Sequence, residues 1–426
     1  MVTAYLSQLG QLEIGGETEF ANAATNFVYV RSMPCDPSTL TKAALVNEHM
    51  RTEDYEVAKI MGRANGTFVS THHLHGYSSN EPSAAETRTG AANGAATAWS
   101  MLMDALASAL GGIAVGGYSG SESVGATGSP TDTLTATDVS TFLEGMPVAW
   151  KTGQTDKPRE IGWSVDSDPA AGPPETISLL QTPDDDPQGD TLWGGYCIYR
   201  KTDSVFHTSG SFTDAPSSFS LKYTAHDGTV YTMLGCRPSS VKVTLTAGEL
   251  PMLEITWSVA DWSAASGGSL SVNAWSYPEP EAVSQWLVRW GNNGSVYDLT
   301  CKSVELTIDV GLQEVGGGYA NSAIEDWFTA HRTVTCAVTA YRSFANDYTA
   351  FVNQTANPLQ VQIGSAAGRM FGFVMPQATL GERPPEADES GAMVSNLVFV
   401  PTYYSGDTGS ASDTTPIDTD VRLAFV

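Results

Sequence analysis

Three histidines, His72, His73 and His75, stand in the segment THHLHG and form the most metal-like cluster in the chain. On an extended strand His73 and His75 share a face and offer two imidazole ligands. No cysteine or carboxylate stands beside them to complete a tetrahedral shell, so the segment reads as a polar strand with no metal assigned. The acidic run PDDDPQGD at 183–190 has the composition of a calcium loop without the EF-hand ligand spacing. The five cysteines, Cys35, Cys197, Cys236, Cys301 and Cys336, make no CxxC pair and read as free, mostly buried thiols. GGGYAN at 316–321 lacks the Lys-Ser/Thr that handles phosphate, and neither GxSxG nor HExxH occurs. Among 47 acidic residues a glycosidase-like carboxylate pair is always available, so no particular pair is informative. Trp257, Trp262, Trp275, Trp286 and Trp290 fit either a sugar-stacking platform or, at strand spacing, anchors of a core or interface. Nothing nominates a nucleophile or tuned base, and the chain reads as a non-enzyme without cofactor or metal.

The elements that carry these residues are mostly strands. Thr, Val, Tyr and Trp alternate with polar residues in PVAWKT (147–152), TISLLQT (176–182), GGYCIYRK (194–201), FSLKYTAH (219–226) and the block from Thr229 to Ala260. The same holds for SVELTIDVG (303–311), RTVTCAVTAY (332–341), LQVQIG (359–364), RMFGFVMPQA (369–378) and DVRLAFV (420–426). Asp227-Gly228, Ala247-Gly248 and Asn65-Gly66 read as turns, the last within a hairpin over 53–77. Trp99, Leu102, Met103, Leu106 and Leu110 predict an amphipathic helix over 97–110, packed on the outside of a sandwich. Phe344, Tyr348, Phe351 and Val352 suggest a second helix, and the Gly/Ser/Thr-rich stretch 111–138 reads as a long loop. The segment from Cys236 to Val259 echoes TCKSVELTIDVGLQEV, with a cysteine before a Ser-Val strand closed by glycine, and suggests a loose duplication.

Composition narrows the function. The 426 residues carry 21 Lys and Arg against 47 Asp and Glu, a net charge of −26. Sequence-independent nucleic-acid binding runs on clustered Lys and Arg and is disfavoured. The first basic residue is Arg31 and the most apolar stretch, 101–118, is interrupted by Asp104 and four glycines, so the expectation is a soluble chain made in a cytoplasm.

The strands FLEGMPVAW (142–150), GGYCIYR and YTMLGCRPSSVKVTLTAGELPMLEITWSVADW (231–262) resemble a tail tube protein of long-tailed bacteriophages. The order continues through KSVELTIDVG, RTVTCAVTAY, a short helix, NPLQVQIGSAAGRMFGFVMPQATLG and a final apolar strand, so the likeness spans about 53–426, with longer inserts at 111–138 and 155–190 than a minimal tube domain needs. The resemblance implies a mainly β fold, an antiparallel sandwich or barrel with flanking helices. It implies a virion protein whose copies join into stacked rings, trimers of two-unit chains with pseudo-sixfold symmetry or hexamers of single units. Other tail proteins are implied partners, and double-stranded DNA passes the lumen without specific binding; no membrane is involved. The loose duplication favours the trimer and divides the chain into an arm at 1–30, tube-type units at 31–215 and 216–400, and an arm at 401–426.

A carboxylate-lined bore would repel phosphate and offer no counterion-release gain. Glu53 and Asp54, at the start of the expected hairpin, are the candidate bore-facing residues, because Val57, Ile60 and Phe68 seek the core. Val421, Leu423 and Phe425 alternate with Arg422 and Ala424 and form a candidate assembly strand that must pair with its own sandwich or with a neighbouring copy. The competing reading is a carbohydrate-binding or carbohydrate-active β-sandwich using its tryptophans, and a third is a decoration or baseplate component.

Overall fold

Apolar residues recur at every second position in 241–245, 253–259, 304–308 and 334–340, a period that buries one side of each pleat and leaves the other polar. In the computed structural model these segments lie in the strands Thr229–Thr246, Met252–Val259, Cys301–Asp309 and Thr333–Tyr341, where buried and half-buried residues alternate. The structure describes residues 10–25, 27–30, 32–45, 60–74, 98–110, 113–115, 122–123, 132–136, 145, 147–150, 160–168, 175–184, 191–194, 196–199, 218–270, 282–283, 286–292, 295–316, 324–341, 347–364, 370–382, 386–389, 392–404 and 420–426. The fold is mainly β and antiparallel, with two α-helices, Ala98–Leu110 and Asp347–Asn353, among the described residues.

One layer is an unbroken antiparallel run. Its order is Leu40–Leu45, Ile60–His73, Met252–Val259, Thr229–Thr246, Cys301–Asp309, Thr333–Tyr341, Ala392–Pro401 and Glu386–Glu389. The second layer contains Gln11–Gly16 between Val28–Val30 and Phe219–Thr224, and Trp286–Asn292 beside Asn357–Ile363 and Phe371–Leu380. Side chains from both layers meet in one core, Val243, Leu253, Ile255, Trp257 and Leu306 from the first and Leu12, Ile14, Leu221, Leu359 and Phe373 from the second. Helix Ala98–Leu110 buries Leu102, Leu106 and Leu110 in the same core. Its stripe therefore sits inside the fold and contacts strands Thr229–Thr246, Tyr196–Tyr199 and Gln11–Gly16, not merely the outside of a sandwich. The side chains of Trp99 and Met103 lie outside the described residues.

Thr229–Thr246 belongs to both layers. Its first half pairs with Phe219–Thr224 and Asp261–Ser266, its second with Met252–Val259 and Cys301–Asp309. The change falls at Gly235, whose φ of 59° suits glycine and whose added Cβ would lie 2.8 Å from the Ala260 side chain.

Three expectations change. Asn65-Gly66 is no turn, because Ile60–His73 runs straight through it, pairing Gly66 with Leu40 on one side and Val259 on the other. The glycine serves close approach instead, since a Cβ there would lie 2.7 Å from the Thr39 carbonyl. The stretch 111–138 holds strands Ile113–Val115, Glu122–Ser123 and Thr133–Ala136, the last burying Leu134 and Ala136. With Pro147–Trp150, Glu160–Asp168, Glu175–Leu179 and Thr191–Gly194, the latter two make a six-stranded sheet of their own. Finally, Phe344 lies outside the described residues, and helix Asp347–Asn353 turns Val352 outward at 57% exposure, while Ala350 and Phe351 pack on the core.

The six-stranded sheet covers the back of the second layer. Ala149, Ile161 and Trp163 pack against Met370, Val374, Ala424 and Val426. Polar side chains stitch the same junction. Gln181 Nε2 donates to the Gly291 and Pro358 carbonyls at 2.9 and 3.0 Å, and Ile161 N–H donates to Gln362 Oε1 at 2.8 Å.

Candidate functional site

The half-buried side of the central strands of this run is a largely polar surface built by strand alternation, with Met252, Ala337 and Val398 standing on it in one row with Thr244 and Glu305. Across it, Thr71, Glu254, Lys242, Thr307 and Thr335 stand in register. The neighbouring row is Val69, Thr256, Ser240, Asp309 and Thr333. Another runs from Thr246 through Ser303 and Thr339 to Asn396. Between them Val241, Val243 and Leu245 turn into the core, so a one-residue slip would exchange the two faces.

Hydroxyls dominate this surface. Its cation in these rows, Lys242, lies 2.8 Å from Glu305 across the Thr229–Thr246/Cys301–Asp309 ladder, with both side chains about 40% exposed. Such an exposed pair is worth about 0–1 kcal/mol and acts mainly by keeping the lysine charge compensated. Glu254, Glu305 and Asp309 leave the rows mildly acidic.

Charges elsewhere hold the architecture. Arg289, 5% exposed, reaches Glu160 at 3.2 Å, Asp298 at 3.1 Å and the Thr182 carbonyl at 2.7 Å. Glu160 in turn accepts from Asp184 N–H, which fixes the acidic segment to the second layer. Arg237 donates to the Trp327 carbonyl at 2.6 Å and pairs with Asp326, and Trp327 Nε1 donates to the Gly235 carbonyl. Burial lowers the Arg237 pKa from its ordinary value, against the opposing pull of Asp326 and Glu17. Strand hairpin Leu312–Gly316/Ile324–Thr329 is thereby tied to the bend, while Phe328 and Val315 remain exposed.

Of the sequence candidates, Glu53, Asp54 and His75 lie outside the described residues. His72 is buried with Nε2 3.0 Å from Ser70 Oγ, and His73 is half-buried. No group of three His, Cys, Asp or Glu suited to a metal occurs among the described residues. Trp257 and Trp290 are fully buried, Trp257 donating to Ser70 Oγ and Trp290 packing 5.4 Å from Phe399, so neither offers an exposed sugar platform. Cys236, Cys301 and Cys336 are buried free thiols and Cys35 is half-buried. No helix among the described residues is long and apolar enough to cross a membrane.

Val421, Leu423 and Phe425 are fully buried in the chain's own core. Their strand, Arg422–Phe425, is inserted between Phe371–Val374 and Tyr196–Tyr199, so both of its ladders are filled within one chain. Arg422 and Ala424 are buried as well, Ala424 against the six-stranded sheet. The sequence showed one apolar face; the second was hidden because burying Arg422 required the Gly145 carbonyl and the Tyr404 ring, partners far off in sequence or in type.

The described residues thus form a two-layer antiparallel fold with a hydroxyl-rich face and with Arg289 and Arg237 engaged in internal ties. A sequence model of the phage tail tube protein family matches residues 84–400, well over half of the chain. The chain belongs to that family, which places its role in the tail tube of a virion. No curated protein matches it.

Proposed function

We propose that this chain polymerises into stacked rings forming the hollow tail tube of a long-tailed phage, through which double-stranded DNA is ejected into the host. The observation that carries the reading is the register-aligned polar face of the eight-strand run. Among the described residues it is rich in Thr and Ser, and Lys242, the cation in its rows, is paired with Glu305. Facing a bore, it offers DNA phosphates no Lys/Arg cluster and no counterion release, so a duplex slides without being held. Glu53 and Asp54, in the connection between Leu40–Leu45 and Ile60–His73, are the candidate carboxylates at that bore. The six-stranded sheet, packed behind the second layer, then lies on the tube exterior.

The chain is read as two tube-type units, which favours three-copy rings with pseudo-sixfold symmetry over six-copy rings. Synthesis in the host cytoplasm suits the free thiols, whose buried positions need no oxidising compartment. Negative-stain microscopy of purified protein tests the reading. Hollow rings or tubes with a central stain-filled channel are expected; a protein that stays monomeric at high concentration and binds glycans would favour the carbohydrate reading.

A further inference from the structure

We propose that screening by cations switches this chain between a free subunit and an assembled one: its copies stay apart at low ionic strength and join as salt rises. This rests on the ring reading above and specifies when its contacts form.

The fold sorts its charges by sign. Arg237, Arg289 and Arg422 are buried. Arg237 pairs with Asp326, Arg289 with Glu160, and Arg422 lies against the Gly145 carbonyl and the Tyr404 ring. Arg332, its side chain also buried, pairs with Asp420. Lys222 and Lys242 are half-buried and stand 3.3 and 2.8 Å from Glu13 and Glu305. Among the residues whose exposure is described, none of the lysines or arginines is exposed, while Asp184, Asp227, Glu249, Asp309, Glu325 and Glu382 are. The whole chain carries a net charge of −26, so the remaining residues do not restore the balance.

The exposed carboxylates guard places where copies could touch. Asp227 occupies the turn before Thr229–Thr246 and Glu249 the turn after it, so both ends of the strand that spans the two layers are acidic. Leu250, an exposed apolar residue, directly follows Glu249. Phe328 and Val315 are exposed on the hairpin that also carries Glu314 and Glu325. An apolar contact flanked by carboxylates is held off when the approaching copy carries the same charge. The screening length falls from about 30 Å at 0.01 M salt to about 3 Å at 1 M, so this surface repulsion is removable, whereas buried pairs are screened far less. The internal ties of Arg237, Arg289 and Arg332 therefore outlast the salt that lets copies meet. Contacts between copies then rest on hydroxyl and apolar groups, which need no ion pair across the junction.

The full chain, purified at low salt, tests this. Light scattering and negative-stain microscopy follow assembly in KCl and in NaCl from about 0.01 M to about 1 M, the range over which the screening length collapses, and circular dichroism follows the fold. A folded monomer is expected at the low end and rings or tubes at the high end, with the same midpoint in both salts. Equal assembly at the two ends of the range would overturn the inference and leave the tube reading standing. Assembly in only one of the two salts would also overturn it, because a specific ion site would then replace screening. Rings in neither salt would remove the tube reading and the inference with it. The variant carrying Asp184→Asn, Glu249→Gln, Glu325→Gln and Glu382→Gln should assemble at a several-fold lower salt concentration than wild type. Should low salt unfold the chain, variant and wild type are compared above that limit, and an identical midpoint for the two overturns the inference.

Discussion

Val243 stands opposite Leu306 at the centre of the ladder between Thr229–Thr246 and Cys301–Asp309, and both are buried. Their neighbours Lys242 and Glu305 turn the other way and meet on the polar face at 2.8 Å. One ladder therefore sets the core on one side and the proposed DNA-facing surface on the other. A change that adds cations to that surface is expected to leave folding intact and alter DNA passage. Thr256→Lys with Thr307→Lys should slow ejection from assembled particles, with the delay shrinking as salt rises. Unchanged ejection kinetics at low salt would place the surface elsewhere.

Leu106, 1% exposed on helix Ala98–Leu110, lies in the main core. Leu106→Asp places an unpaired carboxylate there, and a loss of several kcal/mol is expected. Soluble folded subunit should disappear, whereas Leu106→Met should cost under about 1.5 kcal/mol. Thermal melts of the two variants distinguish a core position from a surface one.

The C-terminal strand supplies a second test. Residues 420–426 fill the slot between Phe371–Val374 and Tyr196–Tyr199, and Asp420 accepts from Arg332, which also donates to the Leu110 carbonyl at the end of the first helix. Deleting 420–426 should expose two strand edges and the Phe371 ring that packs 5.2 Å from Phe425. The monomer should lose cooperative unfolding. A truncated monomer with wild-type melting that merely fails to assemble would show that the strand works between copies.

Arg289 and Glu160 tie the six-stranded sheet to the second layer with both side chains 6% exposed. Removing one partner leaves the other charge buried, which commonly costs about 3–5 kcal/mol. Arg289→Met alone, which takes the cation away from the buried Glu160, should therefore destabilise more than the pair replacement Glu160→Leu with Arg289→Met, and denaturant midpoints of the two should separate in that order.

Burial pushes the thiol of Cys301 up to about 12 and those of Cys236 and Cys336 well above their ordinary value. A group whose folded pKa is raised contributes stability below its unfolded pKa and loses it as pH climbs toward the folded one. Stability should fall from about pH 9 upward through the range in which the unfolded thiols ionise. Cys336→Ala should flatten that decline. A thiol reagent at pH 8 should leave these three cysteines unmodified until the protein unfolds; rapid modification in the native state would contradict their burial.

Much of the fold was legible because strand periodicity is local. The alternation in 241–246, 253–259, 303–309 and 333–340 named both faces correctly, and Asp227-Gly228 turns as expected, with Gly228 at φ 81° and Thr229 N–H on Asp227 Oδ1. What failed depended on distant partners. Asn65-Gly66 has turn chemistry, yet strands on both sides hold it extended. Leu134 and Ala136 gave too short an apolar signal to reveal the six-stranded sheet, whose strands gather from 122 to 194. The echoing Ser-Val segments prove to be antiparallel neighbours, 240–246 against 303–309.

An end-on reconstruction of assembled tubes by cryo-electron microscopy decides whether the polar face of the eight-strand run lines a closed bore. The prediction is a hollow ring whose inner wall is formed by Thr229–Thr246, Met252–Val259, Cys301–Asp309 and Thr333–Tyr341, with Lys242 and Glu305 toward the lumen and the six-stranded sheet outside. A filament without a channel, or a ring in which that face points outward, would contradict it.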